Sequence, residues 1–227
     1  MKQSMKSAVL ATACGLGALA GNAVGEVIFD NFNYTQGEFM YGFLGYSVNA
    51  NDPNGIPDFA IGQTFVVSGG DYTFDNLIAP ILYSEFIGGI NAGLTLSLYT
   101  NSGDGFPGTL LEEATFSGLP EYTIDEPVVN FEFSGTTVLE DGARYWITAT
   151  VPDDGNFYSF GWVWNFDDSL LAPYVISEDG GPWQGGVNNN IYLPQAAFRV
   201  EGTLVPAPGV LTGLAAFGLI GTRRRRG

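Results

Sequence analysis

The sequence predicts an all-β protein, with a single antiparallel β-sandwich or jelly-roll-like domain over residues 26–204 between two terminal segments of different character. Apolar and polar residues alternate with a period of two in several segments, and residues 26–203 carry no helical pattern longer than one or two turns. Glycine accounts for 32 of the 227 residues, and aromatic residues for 14%. These features favour short strands joined by many turns.

The clearest strands carry apolar residues at every second position. Leu94, Leu96 and Leu98 alternate with polar neighbours, and two phenylalanines flank a glutamate in segment 131–133. In segment 145–151 the face expected to be buried carries Tyr145, Ile147, Ala149 and Val151. Its opposite face carries Trp146, Thr148 and Thr150. Between the strands lie turn sequences at Gly69–Asp71, Asn101–Gly105, Glu140–Gly142 and Asp153–Gly155.

A further strand carries an aromatic row. The residues on its aromatic face are Tyr158, Phe160, Trp162 and Trp164, and those on the opposite face are Ser159, Gly161, Val163 and Asn165. An exposed row would stack on sugar rings, whereas a buried row would form one wall of the core. The small, polar opposite face favours burial, so Trp162 and Trp164 are expected to be mostly buried. Trp183, between glycine-rich turns, is the better exposed aromatic. These three tryptophans are the candidate sugar-binding residues.

The first 25 residues are typical of a secretory signal peptide. Lys2 and Lys6 precede an uncharged apolar run over residues 8–20. Two small-x-small cleavage sites follow, at Ala18–Ala20 and Ala23–Gly25. The chain's one cysteine, Cys14, lies inside this segment. After cleavage the mature protein would contain no thiol, so packing alone would stabilise it in an oxidising compartment.

The last 23 residues, 205–227, combine three features in a fixed order. A proline motif comes first, formed by Val205, Pro206, Ala207, Pro208 and Gly209. An uncharged apolar segment over residues 210–222 follows, which as a helix would rise about 20 Å and so span only part of a hydrocarbon core about 30 Å thick. The cluster Arg223, Arg224, Arg225 and Arg226 comes next, and the positive-inside rule places it in the cytoplasm.

This arrangement resembles the PEP-CTERM sorting signal of exported bacterial proteins. The resemblance implies recognition by an exosortase, a membrane cysteine transpeptidase-like enzyme, with cleavage near the motif. Here Pro206-Ala207-Pro208 stands in place of the usual Pro-Glu-Pro, as a variant of the motif.

The body also resembles the choice-of-anchor ectodomains, notably type R. The matching segments extend over about 140 residues and are Gly62–Phe65, Leu94–Thr100, Asn101–Leu111, Leu139–Trp146 and Ala197–Gly202. The resemblance implies a surface β-domain without known catalytic residues, so it provides no site residue.

Charge and composition exclude several kinds of chemistry. The sequence contains no histidine, which excludes Ser-His-Asp triads, Cys-His dyads and His-ligated metals. All 24 carboxylates lie between Glu26 and Glu201, where Arg144 and Arg199 are the only basic residues. Such an acidic body repels nucleic acid, although the same charge is also typical of a merely soluble surface.

Two loop motifs allow more than one interpretation. Asp52, Asn54 and Asp58 surround a glycine as oxygen ligands of calcium do, and Asp167–Asp168 and Glu178–Gly180 are weaker candidates. Solvated turns explain all three clusters as well and are the favoured interpretation. The sequence therefore predicts no cofactor, with calcium as the one candidate. Segment 103–108 spells a dinucleotide fingerprint, but Pro107 and the absence of a following helix favour a hairpin loop.

The sequence therefore predicts a non-enzymatic bacterial protein of the cell surface or extracellular matrix, held at the inner membrane before an exosortase processes it. Two alternatives remain open. One is a carbohydrate-binding module acting on exopolysaccharide, and the other is a secreted glycosidase that uses paired carboxylates.

Overall fold

Strands with short connections make up the fold, as the alternation predicted. A computed structural model describes residues 25–35, 38–83, 90–121, 128–165, 171–187 and 192–206. The strands are β1 Glu26–Asp30, β2 Asn33–Thr35, β3 Glu38–Ala50, β4 Phe59–Val66, β5 Tyr72–Thr73, β6 Asn76–Ala79, β7 Ile81–Tyr83, β8 Leu94–Asn101, β9 Pro107–Phe116, β10 Val129–Glu132, β11 Val138–Leu139, β12 Arg144–Thr150, β13 Tyr158–Asn165, β14 Leu171–Glu178, β15 Gln184–Gly185, β16 Tyr192–Pro194 and β17 Arg199–Gly202. These residues contain no α-helix, which confirms the all-β class.

Two antiparallel sheets contain most of the strands. The larger sheet follows the order β7-β13-β3-β4-β12-β8-β9, with β14 also paired to β4, β15 and β16 paired to β14, and β2 paired to β3. The smaller sheet has the order β1-β17-β6-β10, and β5 pairs separately with β11. Strand β4 begins where β3 ends, because Asn49 of β3 pairs with Phe59 of β4. The end of β3 and the start of β4 therefore lie side by side, at one end of the strands of the larger sheet.

Aromatic side chains from the two sheets pack against each other to form a β-sandwich-like core. The ring of Trp162 on β13 meets the edge of Phe198, just before β17, with 5.8 Å between centroids. Phe116 of β9 contacts Phe131 of β10 in the same way at 4.9 Å. Burying such large rings is a major source of folding energy, and no cysteine lies among residues 25–206 to add a disulfide.

Strand β12 differs from the expectation of one buried face. Trp146 and Thr148, predicted to point outwards, are 0% exposed. On this face the chain has a glycine, Gly62, at which a Cβ would lie only 2.5 Å from Val175 of β14 and 3.2 Å from Thr148. Because Gly62 has no side chain, the Val175 side chain occupies the space beside it. The indole N–H of Trp146 donates to Asn101 Oδ1 at 2.9 Å.

The two ends of the described chain are tied together through the smaller sheet. Buried Asn31 donates from Nδ2 to the Ala196 carbonyl at 2.8 Å and accepts the Phe198 N–H at 2.7 Å. Arg199 of β17 forms an ion pair with Asp30 of β1 at 2.8 Å. These contacts join positions more than 160 residues apart, as in a closed domain.

The β8–β9 connection confirms the hairpin interpretation of segment 103–108. The Ser102 N–H donates to the Phe106 carbonyl at 2.8 Å, and the Gly105 N–H donates to the Ser102 carbonyl at 3.0 Å. The chain turns back at once into β9, so this segment does not open the helix that a dinucleotide site requires.

The described residues end inside the proline motif. Leu204 forms a bridge with Tyr72, the Val205 N–H donates to the Asp71 carbonyl at 2.8 Å, and Pro206 is exposed. Residues 1–24, with the predicted signal peptide and Cys14, lie outside the described residues, as do Ala207, Pro208, Gly209, segment 210–222 and the cluster Arg223, Arg224, Arg225 and Arg226. In the part of the chain that is described, no helix has the length and apolar character needed to cross a membrane.

Candidate ligand-binding groove

A groove lies at one end of the strands of the larger sheet, where β3, β12 and β14 end and β4 begins. The turn after β14 forms one wall. Asp179 and Gly180 both have positive φ, 51° and 65°, and the Gly181 N–H donates to the Glu178 carbonyl at 2.9 Å. Two central residues with positive φ are typical of a type I′ turn, for which Asp-Gly is a preferred sequence. The turn leads through an exposed proline to Trp183.

The loop between β3 and β4 forms the second wall. Asp58 Oδ1 accepts the Asn51 N–H at 2.6 Å, which fixes the carboxylate. The Asp58 N–H donates to Asp179 Oδ1 at 2.9 Å, and the Asp179 N–H donates to the Asp58 carbonyl at 2.9 Å. This reciprocal pair of hydrogen bonds holds the β3–β4 loop against the β14–β15 turn.

The end of β12 and the loop that follows it form the third wall. Here Asp153 is exposed beside the groove, and its neighbour Asp154 accepts the Asn156 N–H at 3.0 Å and the Tyr158 hydroxyl at 3.0 Å. The Asn156 N–H is the main cause that lowers the pKa of Asp154 below its usual value. Burial, followed by the Asp154 hydrogen bond, raises the pKa of Tyr158.

The three walls enclose about 280 Å³. The lining residues are Asn49, Ala50, Asp58, Phe59, Ala60, Thr150, Val151, Asp153, Ser177, Gly180, Gly181 and Trp183. This volume is at the small end of the roughly 300–1,000 Å³ typical of ligand pockets. The lining offers two carboxylates, two hydroxyls, one amide and one indole, but no arginine or lysine. Such a surface can accept hydrogen bonds from a small polar ligand that also presents an apolar face.

The calcium interpretation of the β3–β4 loop finds no support in its geometry. Asp52 Oδ1 accepts the Asn54 N–H at 2.6 Å, and Asp58 Oδ1 accepts the Asn51 N–H. Both carboxylates therefore act as turn acceptors. Among the described residues no three His, Cys, Asp or Glu side chains form a group that can hold a metal ion. Glu178–Gly180 forms the I′ turn, and Asp167–Asp168 lies outside the described residues.

The three candidate tryptophans have different environments. Trp162 is 0% exposed and donates from its indole N–H to the Ala197 carbonyl at 3.0 Å, which confirms its expected burial and rules out stacking on a sugar. Trp164 is half-buried against the core, and Tyr46 meets it edge-on at 5.6 Å. Trp183 alone of the three lines the groove. The opposite face of β13 is also largely covered, with Ser159, Val163 and Asn165 buried.

The structure thus brings together two residues that the sequence suggested for different ligands, Asp58 for calcium and Trp183 for sugar. It adds Asp153 and Thr150, which the sequence analysis did not select as ligand-binding residues. The turn sequence Asp153–Gly155 marked a loop, but a turn does not reveal which other loops it meets.

A second groove, of about 390 Å³, lies at the opposite end of β12. Its lining includes Arg144, Glu140, Leu111 and Val138. The two arginines of the body are therefore both away from the Trp183 groove, since Arg199 pairs with Asp30 on the smaller sheet. In comparisons with known proteins, no protein-family model and no curated protein matches this chain.

Proposed function

We propose that the chain is an exported bacterial protein of the cell surface or extracellular matrix, with one sandwich or jelly-roll-like ectodomain over residues 26–204. A signal peptide over residues 1–25 directs export, and the segment 205–227 sorts the protein to an exosortase that processes it at the inner membrane. The apolar segment 210–222 is a helix in the membrane before cleavage.

The observation that supports this proposal is that the packing of the body reaches Val205. The Val205 N–H donates to the Asp71 carbonyl, and Pro206, the next residue, is exposed. The packed part of the chain therefore extends to the first residues of the proline motif. A protease or transpeptidase acting near this motif would release the body nearly intact.

The composition of the body fits an extracellular location. Residues 25–206 contain no cysteine, so the core of large aromatic rings carries the stability without a disulfide. Two arginines against 24 carboxylates make nucleic acid an unsuitable partner. The absence of histidine from the chain supports a non-enzymatic role, because the commonest general base and metal ligand is missing.

Mass spectrometry of the protein at the cell surface tests processing, because it shows which peptides of the full sequence remain. Full-length chain, expressed in a bacterium with an exosortase, should yield surface protein lacking peptides that contain Lys2 or Arg223–Arg226. The double variant Pro206→Ala, Pro208→Ala should keep its arginine cluster and stay with the membrane fraction. Pro182→Ala, which alters an exposed proline of the body, is the matched control and should be processed normally.

Two results would contradict the proposal. Intact termini on the surface protein, found by mass spectrometry, would exclude sorting with cleavage at both ends. Release of reducing sugar by the purified surface protein would replace the non-enzymatic role with the glycosidase alternative.

A further inference from the structure

Trp183 is a partly exposed aromatic residue in the lining of the groove. The side chain is half-buried, and the described residues give it neither a ring contact nor a hydrogen-bond partner for the indole N–H. The buried tryptophans of the body, by contrast, donate to Asn101 and to the Ala197 carbonyl. A partly exposed indole beside a polar cleft can stack on an apolar ring surface.

The polar groups opposite the indole divide into those already occupied and those available. Asn49 is occupied, since its Nδ2 donates to the Pro57 carbonyl at 3.0 Å and its Oδ1 accepts the Ser47 hydroxyl at 2.9 Å. Ser177 donates to the Gly181 carbonyl at 2.7 Å. The Asp153 carboxylate has no partner among the described residues, and Asp58 uses only Oδ1 within that set. The Asp58 and Asp153 carboxylates are therefore available as acceptors, and the Thr150 hydroxyl is likewise without a partner among the described residues.

We propose that the Trp183 groove binds one sugar residue of an uncharged polysaccharide. The ring packs its C–H face on the Trp183 indole, and hydroxyl groups donate to Asp58 and Asp153. A pyranose has both parts that this lining requires, an apolar face and a rim of hydroxyl donors. The cavity of about 280 Å³ suits one such ring rather than a long stretch of chain.

Charge narrows the class of polysaccharide. Asp58 and Asp153 line the groove, Asp179 is hydrogen-bonded to Asp58, and no arginine or lysine lines it. A uronate or sulfate would bring its own negative charge to these carboxylates and be repelled. The ligand is therefore an uncharged glycan. This inference rests on the proposed function, because export is what gives the body access to extracellular polysaccharide.

Affinity electrophoresis of the full chain in mild detergent tests the proposal. The gels contain dextran, galactomannan, polygalacturonate or deacetylated chitosan, each at low and at high salt. Wild type should be retarded by dextran or galactomannan, with little change at high salt, and should pass the polygalacturonate gel freely. Trp183→Ala should weaken retardation at least about tenfold, which corresponds to the loss of about 1.4 kcal/mol.

Three variants separate a binding role from a structural one. Trp183→Phe keeps an aromatic face and should restore part of the retardation. Asp153→Ala removes an acceptor and should weaken it, whereas Glu132→Ala removes an exposed carboxylate on β10, outside the groove, and should leave it unchanged. Asp153→Ala and Glu132→Ala change exposed residues and should melt within a few degrees of wild type, since surface changes usually cost less than about 0.5 kcal/mol. Trp183 is half-buried, so Trp183→Ala should cost more, but its circular dichroism at the assay temperature should match that of wild type.

Each other result overturns the glycan proposal. Migration unaffected by both uncharged polysaccharides would do so, as would equal retardation of wild type and Trp183→Ala. Retardation by chitosan alone, lost at high salt, would show general charge attraction instead. The electrophoresis does not depend on export or processing. Failure of the groove therefore leaves the sorting proposal standing, and failure of sorting leaves the binding result intact.

Discussion

Strand β13 and the β14–β15 turn both carry tryptophan, yet they use it in opposite ways. On β13 the residues at alternate positions are ordered by the sheet, so Trp162 faces Phe198 in the core and donates to a buried carbonyl. In the turn, Trp183 follows two glycines and a proline, and it lines an open groove. The tryptophan of the regular strand packs in the core, whereas the tryptophan of the turn lines a groove.

The difference shows that alternation reports strand geometry but not whether a face is covered. The aromatic row of β13 has the spacing of a sugar-binding platform, and burial excludes Trp162 from that role. Trp183 belongs to no row, yet its loop is held in place by the hydrogen bonds between Asp58 and Asp179. A tryptophan in a rigid turn at a strand end is thus the stronger indication of a binding site here.

Removing the core tryptophan should give the largest effect. Trp162→Ala deletes a side chain with 0% exposure and leaves a cavity beside Phe198, so the free energy of unfolding should fall by about 3–5 kcal/mol. This is a large part of the 5–15 kcal/mol typical of a domain. Urea unfolding should show a much lower midpoint, with protease sensitivity at 37 °C. A wild-type midpoint would contradict the assignment of β13 to the core.

The fold class could be predicted from the sequence because apolar and polar residues alternate within single strands. Leu94, Leu96 and Leu98 are indeed all buried. The sequence did not predict that β12 is buried on both faces, since Thr148 is polar and its cover, Val175, comes from a strand that pairs with β4 rather than β12. Nor did it predict the Asn31 hydrogen bonds, whose partners are more than 160 residues away.

The groove was predictable only in parts. The sequence suggested Asp58 as a calcium ligand and Trp183 as a sugar-binding residue, each from its residue type and a nearby glycine. Their meeting depends on register: Glu178 pairs with Phe59, and Ala149 pairs with Ile61, so the ends of β14 and β12 reach the start of β4 together. The hydrophobic pattern of one strand restricts its register to every second residue, but it does not identify the neighbouring strand.

Trp164, at the far end of the same row, should show an intermediate effect. It is half-buried and contacts Tyr46 edge-on, so Trp164→Ala should cost about 1–3 kcal/mol. Urea unfolding should place this variant between wild type and Trp162→Ala. A cost equal to that of Trp162→Ala would mean that the row is buried uniformly. Lost polysaccharide retention with unchanged stability would move the binding platform from the groove to β13.

A change in the groove wall should have a smaller and more local effect. Asp179→Ala places a Cβ-bearing residue without a side-chain acceptor at φ 51° and removes the bond to the Asp58 N–H, so stability should fall by about 1–2 kcal/mol. Asp179→Asn tolerates the left-handed backbone and keeps an acceptor oxygen, and should stay near wild type. Hydrogen exchange at the Asp58 amide should accelerate in the alanine variant only. Equal exchange in both variants would contradict the clamp.

The smallest effect concerns Asp154, in the loop between β12 and β13, whose contribution to stability should depend on pH whereas that of the core should not. The folded pKa of Asp154 is lowered, first by the Asn156 N–H and then by the Tyr158 hydroxyl, so the ionised carboxylate favours the folded state. This contribution is present above the unfolded value of about 3.9 and is lost as pH falls through the lower folded value. Asp154→Asn should therefore melt slightly below wild type at pH 7, and the gap should narrow as the pH falls below about 3.9.

Trp162→Ala provides the contrast, because a cavity has no proton to exchange. Its loss of stability should be nearly the same at pH 7 and at pH 3, measured by urea unfolding against wild type at each pH. The other carboxylates titrate in every variant, so they cancel in these differences. If the stability difference between Asp154→Asn and wild type were the same at pH 7 and at pH 3, the charge of Asp154 would not contribute to stability. The loop after β12 would then resemble the core in having a pH-independent contribution.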